Sequence, residues 1–314
     1  MFSRIKNKIS RGLAFRKDIP YLLRELVYRV LFTEKKSKYV GNSADLKKLL
    51  CNGMTLLPSQ NLSPEIAARL RVKLEKMRCM TKVDENNKIL KKVYESSDLV
   101  KDPEFLELAL RDEVLGLVEN YFQCIPKIAY VAAWTAYADS DQDLGEMSFH
   151  MDHHGHKFLK LFYYLSDVEI GGGHHELVSG SHENWSHRKD LAQMKKWAPE
   201  LYSDVIKKKH LRGKFRLDNQ MIIRYFKNRI IKIAGNKGTC FIEDTYGLHR
   251  GTSIENGVPR TIFQVLYVPT VLEKDQVDRV DCDFDLVLGA TSEKLPRDYY
   301  FKVSEQILNL DNTV

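Results

Sequence analysis

Ser148-Phe149-His150-Met151-Asp152-His153-His154, followed closely by Phe158-Leu159-Lys160-Leu161-Phe162-Tyr163-Tyr164-Leu165, is the stretch on which the reading of this chain turns. The second segment reads as a strand, rich in aromatic and apolar residues. Side chains of a strand alternate between faces, so His150 and Asp152, two apart, face the same way. A further imidazole, His249, stands 97 residues beyond Asp152, and Arg260 follows 11 residues later. Two imidazoles and one carboxylate are the donors of the facial triad that holds non-haem Fe(II) by one face of its octahedron. The opposite face then stays open, with two positions for a bidentate 2-oxo acid and one for O2.

Working outward, Ile128-Ala129-Tyr130-Val131-Ala132-Ala133-Trp134-Thr135-Ala136-Tyr137 reads as another strand. Residues 221–225, 229–234, 239–243 and 261–268 read as further short strands broken by Gly, Asn and Asp. The expected fold class is an all-β core with helical additions, a double-stranded β-helix (jelly roll, cupin-like) over about 125–270. Ahead of it, Ser63-Pro64-Glu65 and Asp102-Pro103-Glu104 are helix-start signals, a capping side chain before proline. Leu115, Leu117, Val118 and Tyr121 keep helical spacing, so 41–122 is expected to be mainly helical. An insertion at 185–229 and a C-terminal tail at 271–314 complete a single domain spanning 41–314. A chain of 314 residues is long enough to bury such a core.

With 43% hydrophobic and 29% charged residues, the composition is that of a globular, water-exposed protein. The net charge of +7 is concentrated: residues 1–38 hold eleven Lys/Arg against three Asp/Glu, or +8, which leaves −1 for the remainder. A near-neutral body argues against nucleic acid as partner. Within this basic arm (1–40), Ile19, Leu22, Leu23, Leu26, Val27 and Val30 form an amphipathic helical stripe. The stripe has two readings, packing on the domain or contact of residues 1–33 with an anionic membrane surface. Arg24, Glu25 and Arg29 interrupt it, so it does not read as a signal peptide, and no run of 18 apolar residues occurs. Cys51, Cys79, Cys124, Cys240 and Cys282 are scattered without CxxC spacing and read as reduced thiols. The expected location is cytoplasmic, with peripheral membrane contact as the second reading.

The order of motifs resembles the phytanoyl-CoA dioxygenase (PhyH-like) family of Fe(II)/2-oxoglutarate oxygenases. The likeness runs from Ser148 to His154, through Gly171-Gly172-Gly173-His174-His175-Glu176-Leu177-Val178-Ser179-Gly180-Ser181-His182, to Thr239-Cys240-Phe241-Ile242-Glu243-Asp244-Thr245-Tyr246-Gly247-Leu248-His249 and Pro259-Arg260. It covers roughly residues 100–270 in order and spacing. The resemblance implies that His150, Asp152 and His249 hold iron and that Arg260 binds the far carboxylate of 2-oxoglutarate. A guanidinium suits that task, because its planar fork matches a carboxylate and stays charged. Halogenating relatives carry a small residue at the carboxylate position, so Asp152 implies hydroxylation, with succinate and CO2 released. Thr252 or Gly251 falls where relatives place a small hydroxyl residue near the cosubstrate; here the hydroxyl is displaced by one position.

Other residues have two readings. His154 shares the parity of His150 and competes for the ligand role, but the Asp two positions on completes the motif with His150. Lys160, with Phe162 and Tyr164 on its face, either contacts the cosubstrate or an anionic substrate, or snorkels to the sheet edge. Arg188, Lys189, Lys195, Lys196 and Lys207 to Lys209 make the insertion either a lid for an anionic, lipid-linked or sugar-linked small molecule or a solvated surface. Two rival functions follow: a non-catalytic cupin-like protein that binds metal or sugar, and a peripheral-membrane module using the basic arm.

Overall fold

The structure, a computed structural model, describes residues 43–137, 147–152, 154, 157–184, 195–196, 198–208, 216–269, 280–282, 284–291, 295–305 and 307–310. The basic arm, His153, His156, Arg188, Lys189 and Lys209 lie outside them. Seven strands form the larger sheet, in the order β1 (Met54–Leu56), β10 (Cys240–Glu243), β6 (Leu159–Tyr164), β12 (Arg260–Val268), β4 (Lys127–Ala136), β3 (Ile89–Tyr94) and β2 (Cys79–Val83). The smaller sheet runs β8 (Arg216–Leu217), β5 (Phe149–His150), β11 (His249–Gly251), β7 (His175–Val178) and β9 (Ile230–Ile233). All neighbours within both sheets are antiparallel, and the two pack as a jelly roll.

Strand β6 shows how the sequence sets this arrangement. Leu159, Leu161 and Tyr163 are fully buried against helices 64–74, 103–109 and 112–122, along with Phe263, Val265 and Tyr267 of β12. The alternate residues Phe162 and Tyr164 pack between the sheets on Phe241, Ile262, Leu177 and Ile233. A one-residue slip would put Lys160 into the helical core and Leu161 into the space between the sheets. With about 1.5–3 kcal/mol for each large apolar side chain buried, the register is firmly set.

The expected helix starts are present. Ser63 accepts from the Ile66 amide at 3.3 Å, and Asp102 from the Glu104 amide at 2.9 Å. The segment 41–122 is less purely helical than expected, because β1, β2 and β3 join the larger sheet from it. Residues 221–225 also differ: they lie in the helix Asn219–Phe226, not a strand. Their β-branched composition suggested a strand, but Asp218 caps the Met221 amide at 2.8 Å, and Ile222 and Phe226 bury one helical face. That helix and Pro199–Lys208 cover the outer face of the smaller sheet, where Leu201, Val205, Ile222 and Phe226 pack on Phe149, Val178 and Leu248. The described part of the insertion is thus a backing layer, with Lys195 and Lys196 exposed. In the tail, Tyr299 and Tyr300 dock on the helix Asp112–Phe122 through hydrogen bonds to Glu119 (2.8 Å) and Asp112 (2.5 Å). No helix among the described residues is long and apolar enough to cross a membrane.

Candidate metal centre

Phe149 and Met151 point outward into the layer beneath the helices, so His150 and Asp152 point inward. His249 pairs directly with His150 across β5 and β11, which brings their ring centroids to 4.3 Å. Asp152 lies just beyond the end of β5 and is tied by its amide to the Thr245 carbonyl at 2.9 Å. Each ring is fixed in the same way: Nδ1 of His150 bonds the Ser148 carbonyl, and Nδ1 of His249 the Gly247 carbonyl, both at 2.9 Å. That leaves Nε2 of each facing the carboxylate, at 3.9 Å for His150 and 3.5 Å for His249. One donor atom from each of the three residues lies within 4.8 Å of the other two. Cis donors at about 2.1 Å from one ion sit about 3 Å apart, so a small contraction suits the set to a divalent transition metal. Backbone-anchored Nδ1 atoms are also the support that metal-binding imidazoles require.

The electrostatics separate the two imidazoles. Burial, reinforced by neighbouring His249, pushes His150 down to about 2, so it stays neutral with a free lone pair. Burial also acts to lower His249, but the Asp152 carboxylate outweighs it and raises the group. Asp152 itself is held well below the usual carboxylate range: burial opposes this, and Lys160 and His249 prevail.

Lys160 does not snorkel. Its ammonium lies 2.6 Å from Oδ2 of Asp152 with only 10% of the side chain exposed, and the carboxylate raises it against the effect of burial. Arg260, first residue of β12, is buried on the facing sheet and donates to the Gly173 carbonyl. Gly251 supplies its space: a Cβ there would lie 3.2 Å from a guanidinium nitrogen. Thr252 is placed otherwise than expected. Its hydroxyl contacts Nδ1 and the carbonyl of His174 at 3.0 and 3.1 Å, joining an outer network with Glu176. The strand alternation explains this, since one residue beyond Gly251 faces the other way. His154 packs edge-on against Tyr130 and Phe158, apart from the donor set.

The Gly-Ser-His turn has a structural task that its sequence did not reveal. Ser181 donates to the Val178 carbonyl at 2.6 Å and accepts from the Leu248 amide at 2.8 Å, fixing the approach to His249. Sequence reasoning also passed over Glu243 and assigned no partner to His175. They meet across the sheets, with Nε2 of His175 2.6 Å from Oε2 of Glu243.

The sequence matches no protein-family model and no curated protein. By structure it is similar to HygX from Streptomyces hygroscopicus, solved with nickel and 2-oxoglutarate bound: 14% identity, TM-score 0.52, covering 77% of this chain and 91% of that one. It is also similar to two proteins of nogalamycin biosynthesis. For the non-heme alpha ketoglutarate dependent carbocyclase SnoK the identity is 15%, the TM-score 0.48 and the coverage 74% of this chain and 86% of that one. For the epimerase SnoN the figures are 12%, 0.46, 72% and 79%. At such identities the likeness to HygX speaks to architecture: this chain has the jelly-roll fold with helical additions that HygX shares.

Proposed function

We propose that the protein is a non-haem Fe(II)/2-oxoglutarate-dependent oxygenase of phytanoyl-CoA dioxygenase type, which hydroxylates a C–H bond of a small molecule and releases succinate and CO2. The observation that carries this reading is the convergence of His150, Asp152 and His249 opposite a buried Arg260. HygX, of like fold, holds nickel and 2-oxoglutarate in its crystal structure, which supports the same pair of ligands here.

Iron with its oxo acid supplies the oxidising chemistry; the chain supplies placement and exclusion of water. His150 and His249 present Nε2 because their Nδ1 atoms are held by backbone carbonyls. Asp152 gives the third donor, and its presence favours hydroxylation over halogenation. Arg260 receives the far carboxylate of 2-oxoglutarate with its guanidinium fork. Lys160, buried beside Asp152, would offer a second cation to the cosubstrate. Deep burial of His249 and Arg260 limits the access of water to those two side chains.

Anaerobic titration with Fe(II) and 2-oxoglutarate tests this. A weak visible charge-transfer band is expected in the wild type and its loss in Asp152→Ala. Folded, iron-loaded wild type that gives no band would sink the proposal. A band would justify screening small molecules, anionic ones included, by succinate release.

A further inference from the structure

Two buried polar side chains near the triad have no role in the scheme above. Glu243, on the inner face of β10, is fully buried, and neither carboxylate oxygen has a hydrogen-bond partner among the described residues. His175, on the inner face of β7, brings Nε2 to 2.6 Å from Glu243, though outside the angles of a hydrogen bond. An ionisable pair placed between two sheets without aligned hydrogen bonds is costly, and such a group calls for an explanation, a bound ligand among them.

Its position indicates which ligand. His175 pairs in register with Gly251, the inner-face residue two beyond His249 and in contact range of Arg260. The His175 ring lies nearly parallel to that of His249, with centroids 5.5 Å apart and planes 21° from parallel. Phe162 and Phe241 close the other sides at 5.5 and 5.6 Å, leaving 9% of the His175 side chain accessible. On the opposite wall Glu243 stands directly across from Lys160. A dicarboxylate spanning the triad and Arg260 would pass beside His175.

We infer that His175 is a further binding residue for the cosubstrate, hydrogen-bonded to a carboxylate of 2-oxoglutarate, and that Glu243 is the positioning residue that orients its ring. This rests on the Fe(II)/2-oxoglutarate reading, and the test separates the two. 2-Oxoglutarate is titrated calorimetrically into Ni(II)-loaded wild type, His175→Phe, His175→Gln and Glu243→Gln, with Ni(II) affinity measured separately. His175→Phe is expected to weaken 2-oxoglutarate by at least about tenfold while Ni(II) affinity stays within about threefold. His175→Gln, which keeps a donor, recovers part of the loss, and Glu243→Gln falls between. Unchanged 2-oxoglutarate affinity in folded His175→Phe overturns the inference and makes the pair a tie between sheets. Should that variant fail to fold, unchanged affinity in both Gln variants overturns it equally. Wild type that binds Ni(II) but no 2-oxoglutarate overturns the oxygenase reading itself.

Discussion

Because Lys160 holds its ammonium 2.6 Å from Oδ2 of Asp152 in a nearly closed space, it competes with a metal ion for that carboxylate. Lys160→Met removes that competitor. The metal-free variant is expected to unfold more easily by about 3–5 kcal/mol, since Asp152 loses its buried partner. It is also expected to bind Ni(II) at least about tenfold more tightly in calorimetry without cosubstrate. Weaker Ni(II) binding would show that Lys160 supports the metal instead of opposing it. At this scale the sequence was legible where alternation alone decides. The two-residue spacing put His150 and Asp152 on one face, and the long gap to His249 closed by strand pairing. Alternation gave Lys160 its face but not its partner. It did not mark His175 and Glu243 as a pair, because they come from strands of different sheets whose contact no local pattern announces.

Between β7 and β11, Ser181 serves two backbone groups at once, the Val178 carbonyl and the Leu248 amide. Ser181→Ala leaves both buried without that partner, which is expected to destabilise the protein by about 1–3 kcal/mol in urea unfolding. Ni(II) affinity should fall as well, because Leu248 leads directly into His249; an unchanged affinity would confine Ser181 to stability. Elements were read well where caps or apolar runs were strong, as at Ser63, Asp102 and β6. They were misread where composition and context disagree. Met221 to Tyr225 carry strand-forming residues, yet the Asp218 cap and the spacing of Ile222 and Phe226 make them helical. The β2–β3 hairpin escaped notice because every residue of β2 is exposed, so no alternating pattern marks it. Its turn was nevertheless written in Asp84, whose side chain accepts from the amides of Asn86 and Lys88.

Across the whole molecule, the outer face of the smaller sheet carries an ionic network that responds to acid. Burial acts to raise Glu176, but His174 and Arg250 outweigh it and hold the carboxyl at about 2 instead of its ordinary 4.5. A depressed carboxylate contributes stability in full above its unfolded value and loses it as pH falls through the folded one. Wild type should therefore exceed Glu176→Gln in urea midpoint by a constant margin above about pH 5, and the margin should shrink towards pH 2. A margin that stays flat over that range would show that the network does not tie β7 to β11. The same sheet contains one weak member. Strand β5 has two residues and shares a single residue pair with β11, yet it delivers His150 and leads to Asp152. An ion held by both strands would act there as a clasp, closing a seam that the main chain leaves nearly unstitched. The apparent stability of that wall would then become a function of metal concentration, and the protein would carry in its own folding equilibrium a record of whether its centre is filled.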